Sequence, residues 1–460
     1  MTHPPLGRRL GVLGAAALVL LSSSCGLSGT TTGSSPDGAA GACGAPAGNA
    51  DDKPISGEVK GEIKFVTQGL KADFAGFFEP LIKKFETEHP GTTVKWEDSP
   101  ADATDARMIA DAANCALADV INAPLPTMKA LTDAGALMAI DKKLPGVGAA
   151  FVPSVWDSSA LGKDGAHTAL PWYWGPQILT YNKKIFKEAG LDPAKPPATM
   201  REYFDAARQI AEKAPKGTTA FWGNPRWQLI PDWHGMKVKA MNDDLSAFTF
   251  ADDPNAQAWF QGYADGYRNG AISKDSITGE PDPSQTYIQG KLAFGSTNAS
   301  FLRTVKDNAP TVYEETGVAP APREPGARTF LNAQFITVNK STKHPAAALE
   351  FAKYVTSPES QLAWAKDPKV VIFPTTAESL KDPFFATPSD GGPFGEARAV
   401  AAKEALDAEA WLPAIYLDNS AIANAVLGQL QLAMQGKVSA AEAIKAAQDE
   451  ANKLLKTIKS

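Results

Sequence analysis

Hydrophobic and polar residues alternate over Glu62–Val66, a period of two that predicts a β-strand. The period then lengthens to four, with Phe77, Leu81 and Phe85 on one predicted face of a helix. Pro80 falls between them and is expected in the first turn, where proline is tolerated. The chain after residue 60 is therefore expected to begin with a strand followed by a helix.

A second strand is expected soon after this helix. Pro90 and Gly91 should end the helix, and residues 92–96 again alternate. Strand, helix and strand in this order are typical of an α/β lobe with a parallel sheet.

Later helices carry recognisable start signals. Thr199 with Glu202, and Ser439 with Glu442, have the spacing of capping boxes. Ser357 is followed by proline, which is typical of an N-cap residue before the first helical position. The alternation of helices and strands thus continues, and the fold class is expected to be α/β.

The N-terminus has the pattern of an export signal. Arg8 and Arg9 precede an apolar run at residues 10–21. As a helix this run would span about 18 Å, against roughly 30 Å of membrane hydrocarbon. We therefore predict that residues 1–24 are a signal peptide and that the rest of the chain is extracytoplasmic.

The signal ends in three serines and Cys25, which resembles the lipobox of bacterial lipoproteins. The apolar residue usual three positions before the cysteine is Ser22 here, with Leu21 one step earlier. The resemblance implies a lipid on Cys25 and attachment to the outer face of the cell membrane. An ordinary cleaved signal with an incidental cysteine is the open alternative.

Residues 25–57 are expected to form a flexible tether behind the anchor, because they are rich in small and polar residues. With Cys25 lipidated, Cys43 and Cys115 remain as an even pair outside the cytoplasm, which favours a disulfide. Two free thiols are the alternative.

Composition excludes several classes of function. The chain of 460 residues is mildly acidic, with a net charge of −6, and has no Lys/Arg block for nucleic acid. The five histidines are scattered and no CxxC spacing occurs, so no metal site is expected. No catalytic motif or phosphate-binding glycine loop stands out, and neither catalysis nor a cofactor is expected. The length after residue 24 favours two lobes.

The segment 169–213 resembles the family-1 extracellular solute-binding proteins, the maltose-binding-protein-like group of ABC importers. The motifs that carry the resemblance are Leu170-Pro171, Tyr181-Asn182-Lys183, Lys187 to Leu191, and Pro196 to Thr199. Weaker matches extend over most of residues 58–460, among them Gln289 to Phe294 and Phe373-Pro374-Thr375.

The resemblance implies a periplasmic-binding-protein fold, type II-like, in which each of two lobes is a sheet flanked by helices. One lobe is placed at 58–174 and 324–373, the other at 178–320 and 376–460. Crossings near 175, 321 and 374 would be hinges that close around a ligand. The implied function is a monomeric receptor that binds a carbohydrate in the interlobe cleft and delivers it to an ABC permease.

Aromatic residues suggest where a sugar would bind, because its C–H faces pack on indole rings. Half of the ten tryptophans lie between 172 and 233. The resemblance places Trp227 at a ligand-stacking position, followed by Trp222 and Trp233. Trp172 and Trp174 are also candidates, expected on one face of a strand with Tyr173 opposite.

Polar candidates follow predicted strands, where ligands of open α/β sheets bind. They are Gln68, Lys71, Asp98, Asn122 and Asn298, and Gln334 is a further polar candidate with no strand signal of its own. Some family members have a stacking tryptophan near position 300, where this chain has Ser300.

Two rival functions stay open. A glycerophosphodiester receptor of the same fold would need a cationic pocket, for which Lys71, Arg226 or Arg303 are candidates. A secreted glycoside-active enzyme would need a defined pair of carboxylates, and no motif singles one out.

Overall fold

The computed structural model describes residues 43–46, 48–49, 52–99, 101–175, 177–278, 283–386, 391–405 and 407–459. The predicted signal peptide, Cys25 and the first part of the predicted tether lie outside the described residues.

The described chain combines helices and strands, which alternate strictly from β1 to α3, and this confirms the α/β class. The strands are β1 (Gly61–Gln68), β2 (Thr92–Ser99), β3 (Val120–Pro124), β4 (Ala169–Trp174), β5 (Ile178–Asn182), β6 (Thr316–Pro320), β7 (Thr329–Phe330), β8 (Ala333–Val338), β9 (Phe373–Pro374) and β10 (Ala408–Glu409). The helices are α1 (Lys71–Glu88), α2 (Ala101–Ala113), α3 (Leu125–Asp133), α4 (Ile140–Lys143), α5 (Pro153–Asp157), α6 (Lys183–Glu188), α7 (Met200–Lys213), α8 (Leu229–Gly235), α9 (Pro254–Arg268), α10 (Pro283–Ile288), α11 (Phe301–Asn308), α12 (Pro310–Glu314), α13 (Pro345–Val355), α14 (Pro358–Ala365), α15 (Pro383–Ala386), α16 (Pro393–Ala405), α17 (Ala414–Leu417), α18 (Ser420–Met434) and α19 (Ala440–Lys459).

The larger sheet has six strands in the order β2-β1-β3-β8-β4-β9. β1 pairs in parallel with β2 and β3, as the opening strand–helix–strand pattern predicted. Strand β8, which comes from much later in the chain than β3 and β4, lies between them and pairs antiparallel with both. The carboxyl ends of β1 and β3 therefore meet at one edge, beside the start of β8.

A second, smaller sheet forms where β5 pairs antiparallel with β6. It extends through single bridges that join Tyr181 to Phe294, Thr219 to Leu292 and Phe221 to Ile272. A separate core of buried residues surrounds this region and includes one face of α9, α18 and α19.

Helix α1 begins earlier than its sequence pattern predicted. Its buried residues are Phe74, Phe78, Ile82 and Phe85, so the buried face is offset from the predicted one. Pro80 lies in the middle of the helix and not in its first turn. Proline costs the helix one hydrogen bond there, and the packed apolar face on the sheet offsets that loss.

The predicted helix starts are confirmed. The Thr199 side chain accepts a hydrogen bond from the Glu202 N–H at 3.2 Å, and Ser439 does the same for Glu442. Ser357 accepts from the N–H of Ser360 before α14. Each bond satisfies an otherwise unpaired N–H of a helix's first turn.

Strand β4 differs from the expectation that Trp172 and Trp174 share a face. The register against β8 shifts between Pro171 and Tyr173, which marks a bulge. Trp172 consequently packs in the core on one side of the larger sheet, and Trp174 in the core that includes α16. An extra residue in one strand breaks the alternation on which the prediction rested.

Cys43 and Cys115 form a disulfide, with 5.3 Å between their Cα atoms. Further contacts hold the chain that follows Cys43: Asn49 Nδ2 donates to the carbonyls of Lys340 and Thr342, each at 2.9 Å, and the Ile55 N–H donates to Lys143. The described part of the predicted tether is thus attached to the folded body. Composition alone had indicated a flexible segment.

No helix among the described residues is long and apolar enough to cross a membrane. The expected lobe boundaries near 175, 321 and 374 stay a prediction.

Candidate ligand-binding cleft

The main cleft is a cavity of about 910 Å³, within the range of small-molecule sites. One wall comes from the edge of the larger sheet, with Gln68 at the end of β1, Asn122 in β3 and Gln334 in β8. The opposite wall comes from the loop 223–227 and from α18. Strand ends and helices from distant parts of the sequence therefore surround one space.

The sheet wall is lined by connected amide groups. Asn122 Nδ2 donates to Gln334 Oε1 at 2.9 Å, across the antiparallel pair β3–β8. Gln68 Nε2 donates to the backbone carbonyl of Asn122 at 3.4 Å. These bonds fix the amide orientations and present neutral donors and acceptors to the cavity.

Trp227 projects from the opposite wall with 67% of its surface exposed, although it is a large apolar side chain. The loop that carries Trp227 is fixed by a hydrogen bond, which the Gly223 N–H donates to Ser276 Oγ at 2.9 Å. A β-carbon at position 223 would come within 2.8 Å of Ile272 and Ser276, so only glycine fits this close approach.

Arg226 is the neighbouring charge in the main cleft. Its Nη1 lies 3.1 Å from Asp418 Oδ1, and its Nη2 donates to the Asp418 carbonyl at 3.2 Å. The guanidinium also lies 5.5 Å from the centre of the Trp227 ring. The arginine is therefore paired with a carboxylate and supports the position of the ring.

A second cavity, of about 610 Å³, adjoins the main cleft, and Trp227 lines both. We call it the Asp232 compartment, lined by Asp232 and by the aromatic residues Tyr203, Trp222, Trp227, Tyr263 and Phe294. Trp259 Nε1 donates to Asp232 Oδ2 at 2.9 Å. Burial raises the pKa of Asp232 to about 7, and this hydrogen bond opposes the rise.

A smaller cavity of about 330 Å³ lies beside the predicted crossings and includes Asn298. Arg303 Nη2 lies 3.4 Å from Asp73 Oδ2, and Lys369 Nζ donates to the Asp73 carbonyl at 2.9 Å. The Val371 N–H donates to Ser300 Oγ at 3.2 Å. These contacts join α11, α1 and the segment 369–371 at the margin of the cleft.

The structure brings six predicted residues to these cavities. Gln68, Asn122, Gln334 and Trp227 line the main cleft; Trp222 lines the Asp232 compartment, which also includes Trp227 and Asn298. Whether they contact ligand stays a prediction.

Asp98 and Lys71 lie elsewhere. Asp98 accepts hydrogen bonds from the Thr67 hydroxyl and from the N–H groups of Leu70 and Lys71, so it holds the β1–α1 turn. Lys71 Nζ donates to the Trp96 carbonyl at 2.9 Å, in a groove on the outer side of the sheet. Both residues lie near strand ends, as the sequence predicted. Their side chains form hydrogen bonds with backbone groups, and neither lines the main cleft.

Three predicted tryptophans are also absent from the lining of the described cavities. Trp172, Trp174 and Trp233 are buried within the hydrophobic cores. Trp233 packs against Phe250 and Trp259, with ring centres 4.9 and 5.9 Å away. Their large rings fill core space, a role that clustering along the sequence does not distinguish from ligand stacking.

Sequence analysis missed several residues of the cleft. Tyr173, which the strand pattern had placed opposite the tryptophans, lines the main cleft. Gln177 lines both large cavities, and its Oε1 is buried without a hydrogen-bond partner in the described structure. Asp232 on α8 and Asp418 just after α17 are far apart in the chain, and the sequence analysis named only Trp233, the neighbour of Asp232.

Residues 70–362 match the family model described as "Bacterial extracellular solute-binding protein". The sn-glycerol-3-phosphate-binding periplasmic protein UgpB of Pectobacterium atrosepticum is 23% identical over 244 residues, which cover 50% of this chain and 53% of that protein. UgpB of Brucella abortus is 32% identical over 150 residues, covering 31% and 34%. The chain thus spans about half or less of the length of these relatives.

Solved structures match over a larger share. The sugar-binding protein MalE of Xanthomonas citri has a TM-score of 0.70 at 18% identity, covering 86% of this chain and 98% of MalE. An ABC transporter solute-binding protein of Thermotoga lettingae, bound with α-D-tagatose, has a TM-score of 0.69 at 20% identity, covering 86% and 99%. At these identities the matches show the fold, and they confirm the expected two-lobe periplasmic-binding-protein fold.

Proposed function

The chain belongs to the bacterial extracellular solute-binding proteins, and from this premise we propose that it is a monomeric receptor that binds a carbohydrate and delivers it to an ABC permease. The observation that carries the proposal is Trp227, an exposed ring facing a cavity of about 910 Å³ with a wall of neutral amides.

A sugar matches both surfaces of the cleft. The flat C–H face of a sugar ring packs on indole, while its hydroxyls require donors and acceptors at fixed positions. The Asn122 and Gln334 amides offer both kinds of group, and the buried Gln177 oxygen needs a donor. A neutral polyhydroxy ligand would satisfy these groups without introducing a charge into the main cleft.

A glycerol phosphate or glycerophosphodiester ligand is the second candidate, favoured by the UgpB relatives. A phosphate group would require a cation or several strong donors. Arg226 and Arg303 lie near the cleft, but each is paired with a carboxylate, at 3.1 and 3.4 Å. Lys71 lies outside it. The main cleft therefore supports the carbohydrate better.

A thermal-shift screen of the mature chain tests the proposal. The panel contains neutral mono- and oligosaccharides, sn-glycerol 3-phosphate and glycerophosphodiesters. A true ligand at 100 times its Kd should stabilise the fold by about 2.7 kcal/mol and raise Tm. Stabilisation by a phosphate ester and by no sugar would overturn the carbohydrate assignment. Turnover of chromogenic glycosides would favour the enzyme class instead.

The lipid anchor is part of the proposal and rests on the lipobox resemblance at Cys25. We expect Cys25→Ser to release the protein from membranes or to leave its signal unprocessed. The matched control is Ser22→Leu, which restores the usual apolar residue and should keep processing and membrane attachment. Membrane fractionation with mass analysis checks both. A normally processed, membrane-bound Cys25→Ser variant would contradict the anchor.

A further inference from the structure

The Asp232 compartment has a feature that the neutral main cleft does not explain. Asp232, on α8, has Trp259 as its hydrogen-bond donor. Among the described residues, no lysine or arginine pairs with its carboxylate, and Arg226, the cation in the compartment lining, is paired with Asp418. The wall of the cavity therefore holds a carboxylate without a counter-charge.

The surroundings of this carboxylate are aromatic. Tyr203 stacks on Phe294 with ring centres 4.1 Å apart, and Tyr263 lies 4.6 Å from Trp259. Both tyrosines line the compartment. Ring faces carry partial negative charge, and phenol oxygens accept hydrogen bonds.

The Asp232 carboxylate and the aromatic side chains around it favour some chemical groups of a ligand over others. An anion would be repelled by Asp232. A hydroxyl could donate to the carboxylate but would leave its charge uncompensated in a desolvated site. An ammonium group gains from the carboxylate, the phenol oxygens and the ring faces together.

We propose that the Asp232 compartment binds a positively charged amino group, so that the solute is a polyhydroxy compound bearing an ammonium. This deepens the proposed function and rests on it for the position of the site. The ammonium belongs either to an amino sugar or to a quaternary ammonium compound, and the test separates these sources.

Binding of a cation should depend on pH in a defined direction. Because its pKa is about 7, Asp232 in the free protein becomes protonated as the pH falls below that value. A bound cation favours the charged carboxylate, whose fraction in the free protein falls with pH, so the affinity should fall about fiftyfold between pH 7 and 5. The titratable groups that interact with Asp232 are Tyr203 on α7 and Tyr263 on α9, and Arg226, paired with Asp418, lines the same compartment.

The matched probes are cellobiose and the β-1,4-linked glucosamine disaccharide, which differ only in 2-hydroxyl against 2-amino groups. We expect the amine to bind at least tenfold more tightly at pH 7 in calorimetric titration, and to weaken toward pH 5, where it remains protonated. Tetramethylammonium, titrated alone, tests the quaternary source. Binding of tetramethylammonium without the amino sugar assigns the quaternary group, and the reverse assigns the primary amine.

Asp232→Asn should abolish the preference for the amine and its pH dependence. Asp243→Asn is the control, because it removes the same charge at a side chain that is 94% exposed. Equal affinity for the two disaccharides, or a pH-independent amine affinity in the unmodified protein, overturns the inference while leaving a sugar receptor intact. Failure of both amines to bind also overturns it, and the wider screen decides the proposed function separately.

Discussion

Replacing Trp227 with alanine should weaken ligand binding about thirtyfold, roughly 2 kcal/mol, and change the free energy of unfolding little. The ring is 67% exposed at the wall shared by both large cavities, and its neighbour Arg226 has a separate partner in Asp418. Truncation therefore removes a surface that a ligand would cover, without opening a cavity in a core. Calorimetric titration with the ligand from the screen, together with a urea melt, measures both quantities.

Two variants make this experiment decisive. Trp233→Ala should show the opposite result, a loss of about 3–5 kcal/mol in stability, because its ring is fully buried. Leu412→Ala is the surface control, since this side chain is 50% exposed and lies outside the lining of the described cavities. Unchanged ligand affinity in Trp227→Ala would contradict a stacking role for Trp227. Trp222 would then be the next candidate for stacking on the ligand.

Removing the disulfide should lower the free energy of unfolding about as much as Trp233→Ala does. The bond joins residues 72 positions apart, and closing a loop of this length contributes about 4 kcal/mol in the chain-entropy model. Cys115→Ser, Cys43→Ser and the double variant should each lose about this amount in denaturant melts. Reduction of the unmodified protein should reproduce the loss.

The control for the disulfide is reductant added to the double variant, which should leave its melt unchanged. Mass analysis without reductant should find the unmodified chain two hydrogens lighter than its reduced form and resistant to alkylation. Identical denaturant melts of the oxidised and reduced chains would show that the disulfide contributes little to the free energy of unfolding.

Local patterns predicted the local structure well. The capping residues Thr199 and Ser439 begin helices, and the alternation at residues 62–66 forms β1. These signals succeed because the groups that interact are within a few residues of one another. Pro80 shows their limit, since the length of α1 is decided by packing against the sheet.

The candidate site was predicted only in part, for the same physical reason. Gln68 and Asn122 were inferred from strand ends, and the family resemblance indicated Trp227. The bulge in β4 arises in its pairing with β8, and Arg226 contacts Asp418. Both interactions connect segments that are far apart in sequence, so local patterns do not predict them. Asp232 adjoins the candidate Trp233 in sequence, but only the fold shows that its carboxylate lines a compartment and has no counter-charge among the described residues.

The contacts of Cys43, Asn49 and Ile55 with the folded body limit how far the protein can move from a membrane anchor. With a lipid on Cys25, only residues 26–42 separate the membrane from the disulfide at Cys43. Fully extended, this stretch reaches at most about 60 Å. A lipid on Cys25 would thus confine the folded body to a layer of this thickness at the membrane surface, within which it would meet a permease by lateral diffusion of the anchor.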